Sequence, residues 1–117
     1  MNDEKRQRSE TTSGRPPVPG FEYAAAPEPV DPATGQHRAY WVLAPEERAK
    51  GFVRPVRRAY KHLVCGTTTY MGTAIAETCA RDPSYYGSTF CVSCKSHFPV
   101  GEHGEFVWDG TNDKVGT

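Results

Sequence analysis

STFCVSCKSHFPV, residues 88–100, places Cys91 and Cys94 three positions apart and His97 three positions further on. A C-x-x-C pair can be half of a metal site, a redox pair or half of a disulfide network. When such a pair lies on a tight turn, its two sulfurs can occupy two corners of a tetrahedron around zinc. If the pair binds metal, the rest of the sequence has to supply the remaining ligands.

A second motif with the same spacing lies upstream. His62-Leu-Val-Cys65-Gly66 has the form H-x-x-C-G, and the glycine lets the chain turn back beneath a metal ion. The segment between Cys65 and Cys91 leaves room for a helix or a hairpin between two such turns, which are called zinc knuckles. The pattern predicts one structural zinc ion per chain. The predicted ligands are His62, Cys65, Cys91 and Cys94.

The identity of the fourth ligand is open, because the three knuckle cysteines belong to every reasonable ligand set. His62 is preferred because it pairs with Cys65 at knuckle spacing. His97 follows the second knuckle directly, so it could bind the metal or hydrogen bond to a ligand. Cys79 is the other alternative, but it shares one face of a predicted helix with Met71, where a free cysteine behaves as a small hydrophobic residue.

The N-terminal segment MNDEKRQRSE is charged and has no apolar core, so the sequence predicts no secretory signal. No apolar run has the length of a membrane span, and we expect no membrane association. These features favour a cytoplasmic protein whose thiols stay reduced, which disfavours disulfides. A thioredoxin-type redox pair would need a βαβ unit, which the predicted elements do not provide.

The composition limits the folded part to a small domain. Only 37% of the 117 residues are hydrophobic, and they are concentrated after residue 38. Residues 1–36 contain six of the ten prolines and show no sustained apolar period, which predicts a disordered N-terminal arm. Residues 37–117 are predicted to form a zinc-binding domain, since a core of this size commonly needs an additional cross-link.

Within that domain the sequence predicts short strands and one helix. Residues 39–53 indicate a strand and a helical turn that begins at Pro45, and residues 54–66 indicate a second strand. A helix is predicted over 69–81, ended by Asp82-Pro83. HFPV and EFVW, on either side of GEHG, predict a C-terminal hairpin. The expected fold is a small α+β zinc-stabilised domain, similar to a zinc ribbon or treble clef, with the helix between two knuckles.

Residues 54–110 resemble a group of small uncharacterised proteins of tailed bacteriophages and prophages. The resemblance is carried by CGTTTYMG, AETCARDP, YGSTFCVSC and HFPV before EFVW. It implies a phage or prophage origin and no particular activity. The group has tyrosine at the position of Cys79, and tyrosine at that position is an unsuitable zinc ligand. The resemblance therefore implies that Cys79 belongs to the core.

The sequence favours a non-catalytic zinc-stabilised binding module that engages a protein partner. The 14 basic and 14 acidic residues balance, which argues against a general binder of polyanions. After the four metal ligands are set aside, no paired carboxylates, no phosphate-binding glycine loop and no activated nucleophile are recognisable. A proline-rich arm that becomes ordered on binding is consistent with a protein partner.

Residues 50–61, KGFVRPVRRAYK, suggest nucleic-acid binding as an alternative. Basic and aromatic side chains in alternation suit a single strand, whereas a charged edge strand is the simpler interpretation. Strand alternation places Arg58 and Tyr60 on the face of His62 and places Arg57 and Lys61 on the opposite face. One ligand would not easily contact both faces. The candidate contacts are Arg54, Arg57, Arg58, Tyr60 and Lys61.

Two further alternatives remain at this stage. A small metal-dependent nuclease would use His97 or His103 beside Glu102 or Glu105, although the spacing matches no established motif. A structural component of a virion or a larger assembly is compatible with the resemblance to phage proteins. The sequence sets no oligomeric state.

Overall fold

The computed structural model describes residues 9–117, and in these residues the chain divides into two compact units. The first unit ends at Gly51 and the second is Phe52–Thr117. The boundary therefore lies well after the predicted one between residues 36 and 37.

The first unit is built on a two-stranded antiparallel sheet. Strand β1 (Ser9–Thr11) pairs with β2 (Trp41–Leu43), and the short helix α1 (Pro45–Arg48) follows β2. Proline at the first helical position fits because its missing N–H has no partner there in any helix. The strand and the helical turn predicted between residues 39 and 53 are confirmed.

The segment between β1 and β2 differs from the predicted disordered arm, because it makes specific polar contacts. The buried Glu28 carboxylate accepts hydrogen bonds from Arg15 Nη2 at 2.9 Å and from Ser13 Oγ at 3.2 Å. The Trp41 indole N–H donates to the carbonyl of Ala24 at 3.0 Å. Polar contacts of this kind require no periodic pattern of apolar residues, so the composition does not predict them. Residues 1–8 of the predicted arm lie outside the described residues.

The second unit contains a three-stranded antiparallel sheet whose order is β4-β3-β7. Its strands are β3 (Ala59–His62), β4 (Thr68–Tyr70) and β7 (Phe106–Trp108). The predicted alternation along β3 is confirmed in the strand itself, where Tyr60 and His62 are buried. The predicted strand over 54–66 is too long, because the chain turns immediately after His62.

Strand β5 (Ser88–Cys91) pairs with β6 (Ser96–Pro99) in a separate antiparallel hairpin. This pairing contradicts the predicted C-terminal hairpin, in which HFPV would pair with EFVW. The C-x-x-C turn closes β6 against β5, and β7 pairs with β3 instead. That register places Phe106 opposite His62 and Trp108 opposite Tyr60, so that apolar side chains of both strands share one core.

Helix α2 (Thr73–Arg81) connects the β3–β4 hairpin to the β5–β6 hairpin. It begins later than the predicted residue 69, because Thr68–Tyr70 pairs with β3 as a strand. β-Branched threonines favour that extended conformation. The predicted end is confirmed: the helix stops before Asp82, where the following proline disfavours a further helical residue.

The core of the second unit lies between the sheet, the helix and the β5–β6 hairpin. Tyr60 is central to it, since its ring meets Phe106 and Trp108 edge to face. Its hydroxyl donates to the Phe90 carbonyl at 2.5 Å. The buried cluster comprises Tyr60, Met71, Ala76, Cys79, Cys91, Phe106, Trp108 and Val115.

Across residues 9–117, neither helix has the length and apolar character that crossing a membrane would require.

Candidate metal centre

The first knuckle is the turn of the β3–β4 hairpin. It begins with His62, which closes the hairpin by donating its N–H to the Thr67 carbonyl at 3.0 Å. The Gly66 N–H then donates to the carbonyl of His62 at 2.7 Å. Gly66 has φ +76°, a conformation that glycine adopts without steric cost. The turn carries His62 and Cys65 towards the same point.

The second knuckle is the turn of the β5–β6 hairpin, and it repeats this geometry. The Lys95 N–H donates to the carbonyl of Cys91 at 2.8 Å, and Lys95 has φ +56°. The Cys94 N–H also points at the Cys91 sulfur, at 3.4 Å. A backbone donor aimed at sulfur stabilises a thiolate, which is the form that binds metal.

The two turns bring four donor atoms together. The group consists of His62, Cys65, Cys91 and Cys94, whose donor atoms all lie within 4.8 Å of one another. The sulfurs of Cys65 and Cys91 are 3.5 Å apart, and His62 Nδ1 lies 3.4 Å from the sulfur of Cys65. Zn–S bonds of about 2.3 Å in a tetrahedron imply a separation between sulfurs of about 3.8 Å. The residues therefore fit a tetrahedral metal ion and could hold one.

His62 is almost fully enclosed, with 1% of its surface exposed. Its ring is stacked between Phe98 and Phe106, each with a centroid distance of 4.6 Å. Its Nε2 lies 2.8 Å from Glu105 Oε1, on the side of the ring away from Cys65. Burial lowers the pKa of His62, but the contacts with Glu105 and Cys65 outweigh burial and leave that pKa raised.

The thiols of the group differ in their ease of ionisation. Backbone and side-chain hydrogen bonds to Thr67 lower the pKa of Cys65 to about 6. Local desolvation and the nearby thiols of Cys91 and Cys65 raise the pKa of Cys94 to about 11. Several thiolates at this spacing repel one another, and a bound cation would relieve that repulsion. The cluster is therefore chemically suited to a thiophilic divalent ion.

The two alternative ligands lie apart from this group. Cys79 is on α2, 7% exposed, and belongs to the core with Met71. Burial raises the pKa of its thiol to about 12. His97 is on β6, where it pairs with Phe90 across the hairpin, at a ring distance of 5.3 Å. The structure thus brings together the preferred four residues and neither alternative.

The sequence analysis names Glu105 only as a nuclease candidate, and it does not predict the contacts of Glu105, Phe98 and Phe106 with His62. Glu105 follows a Gly-rich turn, where an acidic residue is ordinarily solvated. Its position depends on the pairing of β7 with β3, which sets Phe106 opposite His62. No spacing in the sequence specifies that pairing. The contact between Glu105 and His62 can therefore be recognised only when the order of the strands is known.

The basic stretch does not form one exposed surface. Tyr60 is 2% exposed and cannot stack on a base, which corrects its assignment as a nucleic-acid contact. The Arg57 guanidinium lies 4.8 Å above the Trp108 ring and 3.3 Å from the Asp113 carboxylate. The interpretation of this stretch as a charged edge strand is also wrong, because β3 is the central strand of its sheet.

The other candidate contacts of this stretch have separate roles. Arg58 Nε donates to the Met71 carbonyl at 2.8 Å, which ties β3 to the start of α2. Arg54 Nε donates to the Thr117 carbonyl at 3.1 Å. Lys61 is half-buried and lies opposite Thr68 and Val107 on the neighbouring strands.

Two of the residues proposed for a nuclease are neighbours at the surface. His103 is 94% exposed, with Glu102 at 3.7 Å as a solvated neighbour. Glu105 Oε1 lies 2.8 Å from Nε2 of His62, a predicted metal ligand.

No family model matches the chain. No curated protein and no solved structure is similar to it either.

Proposed function

We propose that the chain is a non-catalytic binding module whose second unit is stabilised by one structural zinc ion. The observation that carries the proposal is the convergence of His62 and three cysteines from two knuckle turns. Three sulfurs and one imidazole nitrogen form a donor set that zinc prefers. Four protein donors fill a tetrahedral shell and leave no open position for a substrate, which supports a structural role.

The arrangement of the knuckles favours a zinc-ribbon-like fold over a treble clef. Each knuckle is the turn of an antiparallel hairpin, β3–β4 or β5–β6. Helix α2 joins the hairpins and contributes its cysteine to the core instead of the metal. We therefore propose that the second unit is a small α+β domain in which one zinc ion joins two hairpins.

A protein is the proposed partner. Exposed apolar side chains lie on both knuckle turns: Leu63 and Val64 are 51% and 75% exposed, and Val92 is 51% exposed. Apolar groups held in water around a rigid centre suit a protein surface better than a phosphate backbone. The neutral net charge and the buried Tyr60 favour the same choice over nucleic acid.

Further proposals are a phage or prophage origin and a cytoplasmic location in the bacterial or infected host cell, and a place in a virion or larger assembly is a third, alternative proposal. The first rests on the sequence resemblance, and the second on thiols that need a reducing environment to bind zinc. Sedimentation of the purified chain tests the third, because a stable monomer would contradict a structural component.

Native mass spectrometry tests the proposed zinc ion directly, with an expected stoichiometry of one per chain. Titration with a chelator, followed by circular dichroism, should unfold the second unit, since structural zinc is coupled to folding. A chain that keeps its fold without metal would contradict the proposal.

Cross-linking of wild type and Val64→Ser in extracts of the host tests the proposed partner surface, with the exposed Val18→Ser in the first unit as a control.

A further inference from the structure

The two nitrogens of His62 face different groups. Nδ1 lies 3.4 Å from the sulfur of Cys65 and 3.6 Å from the sulfur of Cys94. Nε2 lies 2.8 Å from the Glu105 carboxylate. A neutral imidazole carries one N–H, and a carboxylate can only accept a hydrogen bond. The arrangement therefore places the proton on Nε2 and leaves the lone pair of Nδ1 for the metal.

The phenylalanines cannot select this orientation by themselves. Phe98 and Phe106 stack on the two faces of the His62 ring, with interplanar angles of 27° and 24°. Stacking fixes the plane of the ring, but rotation by a half turn about the Cβ–Cγ bond preserves that plane. The rotation would exchange Nδ1 for a carbon atom. Only a group at the ring edge distinguishes the two orientations, and Glu105 is such a group.

Glu105 is held in place by both hairpins. Its N–H donates to the Pro99 carbonyl on β6 at 3.0 Å, and its carbonyl accepts from the Leu63 N–H in the first knuckle at 2.8 Å. The preceding Gly104 packs so closely that an added Cβ would lie 2.5 Å from the backbone of Val100. These contacts fix the backbone from which the Glu105 carboxylate reaches Nε2 of His62.

We propose that Glu105 is a positioning residue for the metal centre, and this inference rests on the proposed zinc site. It accepts the Nε2–H bond of His62 and so fixes the tautomer and the ring orientation that present Nδ1 to the ion. Partners of this kind commonly change metal affinity by about 10- to 100-fold. The Glu105 side chain is 35% exposed, so a substitution at this position acts at the surface of the unit.

Zinc affinity of the full chain, measured by competition with a chromophoric chelator, tests the inference. Glu105→Ala should weaken zinc binding about 10- to 100-fold. Glu105→Gln keeps an acceptor oxygen and should recover most of the affinity. Glu102→Ala is the matched control, because that side chain is 83% exposed and contacts only the equally solvated His103.

Nitrogen NMR of the imidazole supplies a readout that a merely structural role would not change. Wild type and Glu105→Gln should show His62 protonated at Nε2 and metallated at Nδ1, whereas Glu105→Ala should show loss or exchange of that state. Glu105→Ala with affinity within about twofold of wild type would overturn the positioning role. Glu105→Gln as weak as Glu105→Ala would overturn the acceptor role. A wild-type chain that binds no zinc would overturn the proposed function together with the inference.

Discussion

Gly66 and Lys95 occupy equivalent positions in the two knuckles, yet only one of them is a glycine. Each follows the second member of the candidate metal group in its turn, and each donates its N–H to the carbonyl four residues earlier. Their φ angles are +76° and +56°. A residue with a Cβ is strained in this region of φ, so the second knuckle carries strain that the first one avoids.

Lys95→Gly should therefore stabilise the zinc-bound chain, by about 0.5 kcal/mol once the greater freedom of glycine in the unfolded chain is subtracted. Denaturant unfolding at saturating zinc measures the change. Lys95→Ala is the control, because it removes the charge and keeps the Cβ. Gly66→Ala should destabilise the chain by about 1 kcal/mol. A Lys95→Gly chain that is less stable than Lys95→Ala would show that the strain is absent, because only the entropic cost of glycine would then remain.

Cys91→Ser should abolish zinc binding and unfold the second unit. Cys91 is fully buried, and its sulfur belongs to the metal group. The loss of one ligand removes most of the metal-coupled folding energy. Cys79→Ala is the matched substitution outside the group and should retain zinc at a cost of about 1 kcal/mol, as for a small core truncation. Native mass spectrometry and circular dichroism of both variants check the pair of expectations. Loss of zinc from Cys79→Ala would place Cys79 at the metal.

The contribution of Cys79 to stability should decline at alkaline pH. Burial raises the pKa of its thiol from 9.0 to about 12 in the folded chain. In the unfolded chain the thiol ionises near its ordinary value. The stabilisation by the neutral thiol is therefore complete below about pH 9 and is lost as the pH rises from about 9 to about 12.

Thermal unfolding of wild type and Cys79→Ala at several pH values isolates this effect, because other titrating groups are common to both chains. The difference between their midpoints should shrink above about pH 9. A difference that stays constant to about pH 11 would show that the thiol is not buried as described.

Tyr60 should contribute to the stability of the second unit and should not take part in nucleic-acid binding. Its hydroxyl donates to the Phe90 carbonyl in the core, so Tyr60→Phe should cost about 1 kcal/mol in denaturant unfolding. Fluorescence titration should show no tight binding of single-stranded oligonucleotides at physiological salt. Arg57→Ala controls for charge, because Arg57 carries the positive charge that a phosphate contact would use. Tight binding that falls steeply with salt and weakens in Arg57→Ala would restore the nucleic-acid interpretation.

The metal group could be predicted because its signal is local. H-x-x-C-G and C-x-x-C specify two turns with the same geometry, and the turns need only meet for the group to form. The end of α2 was predictable for the same reason, since Asp82-Pro83 acts on the adjacent residue. These features depend on a few neighbouring residues and not on the topology of the chain.

The partner of β7 could not be predicted in this way. FVW has the same apolar character whether it pairs with β6 or with β3, and hairpin connection by GEHG is locally reasonable. The pairing with β3 is favoured by packing of Phe106 and Trp108 around Tyr60. The location of Glu105 depends on that long-range contact. The polar contacts of Glu28 in the first unit were equally invisible to a search for apolar periodicity.

The two knuckles enclose a length of chain that contains β4, α2 and β5. A zinc ion that joins His62 and Cys65 to Cys91 and Cys94 acts as a reversible cross-link around this segment. Folding of the second unit is then linked to the supply of metal: above the dissociation constant, each tenfold rise in free zinc adds about 1.4 kcal/mol to its stability. The fraction of chains able to present the exposed Leu63, Val64 and Val92 to a partner would consequently follow the zinc status of the cell.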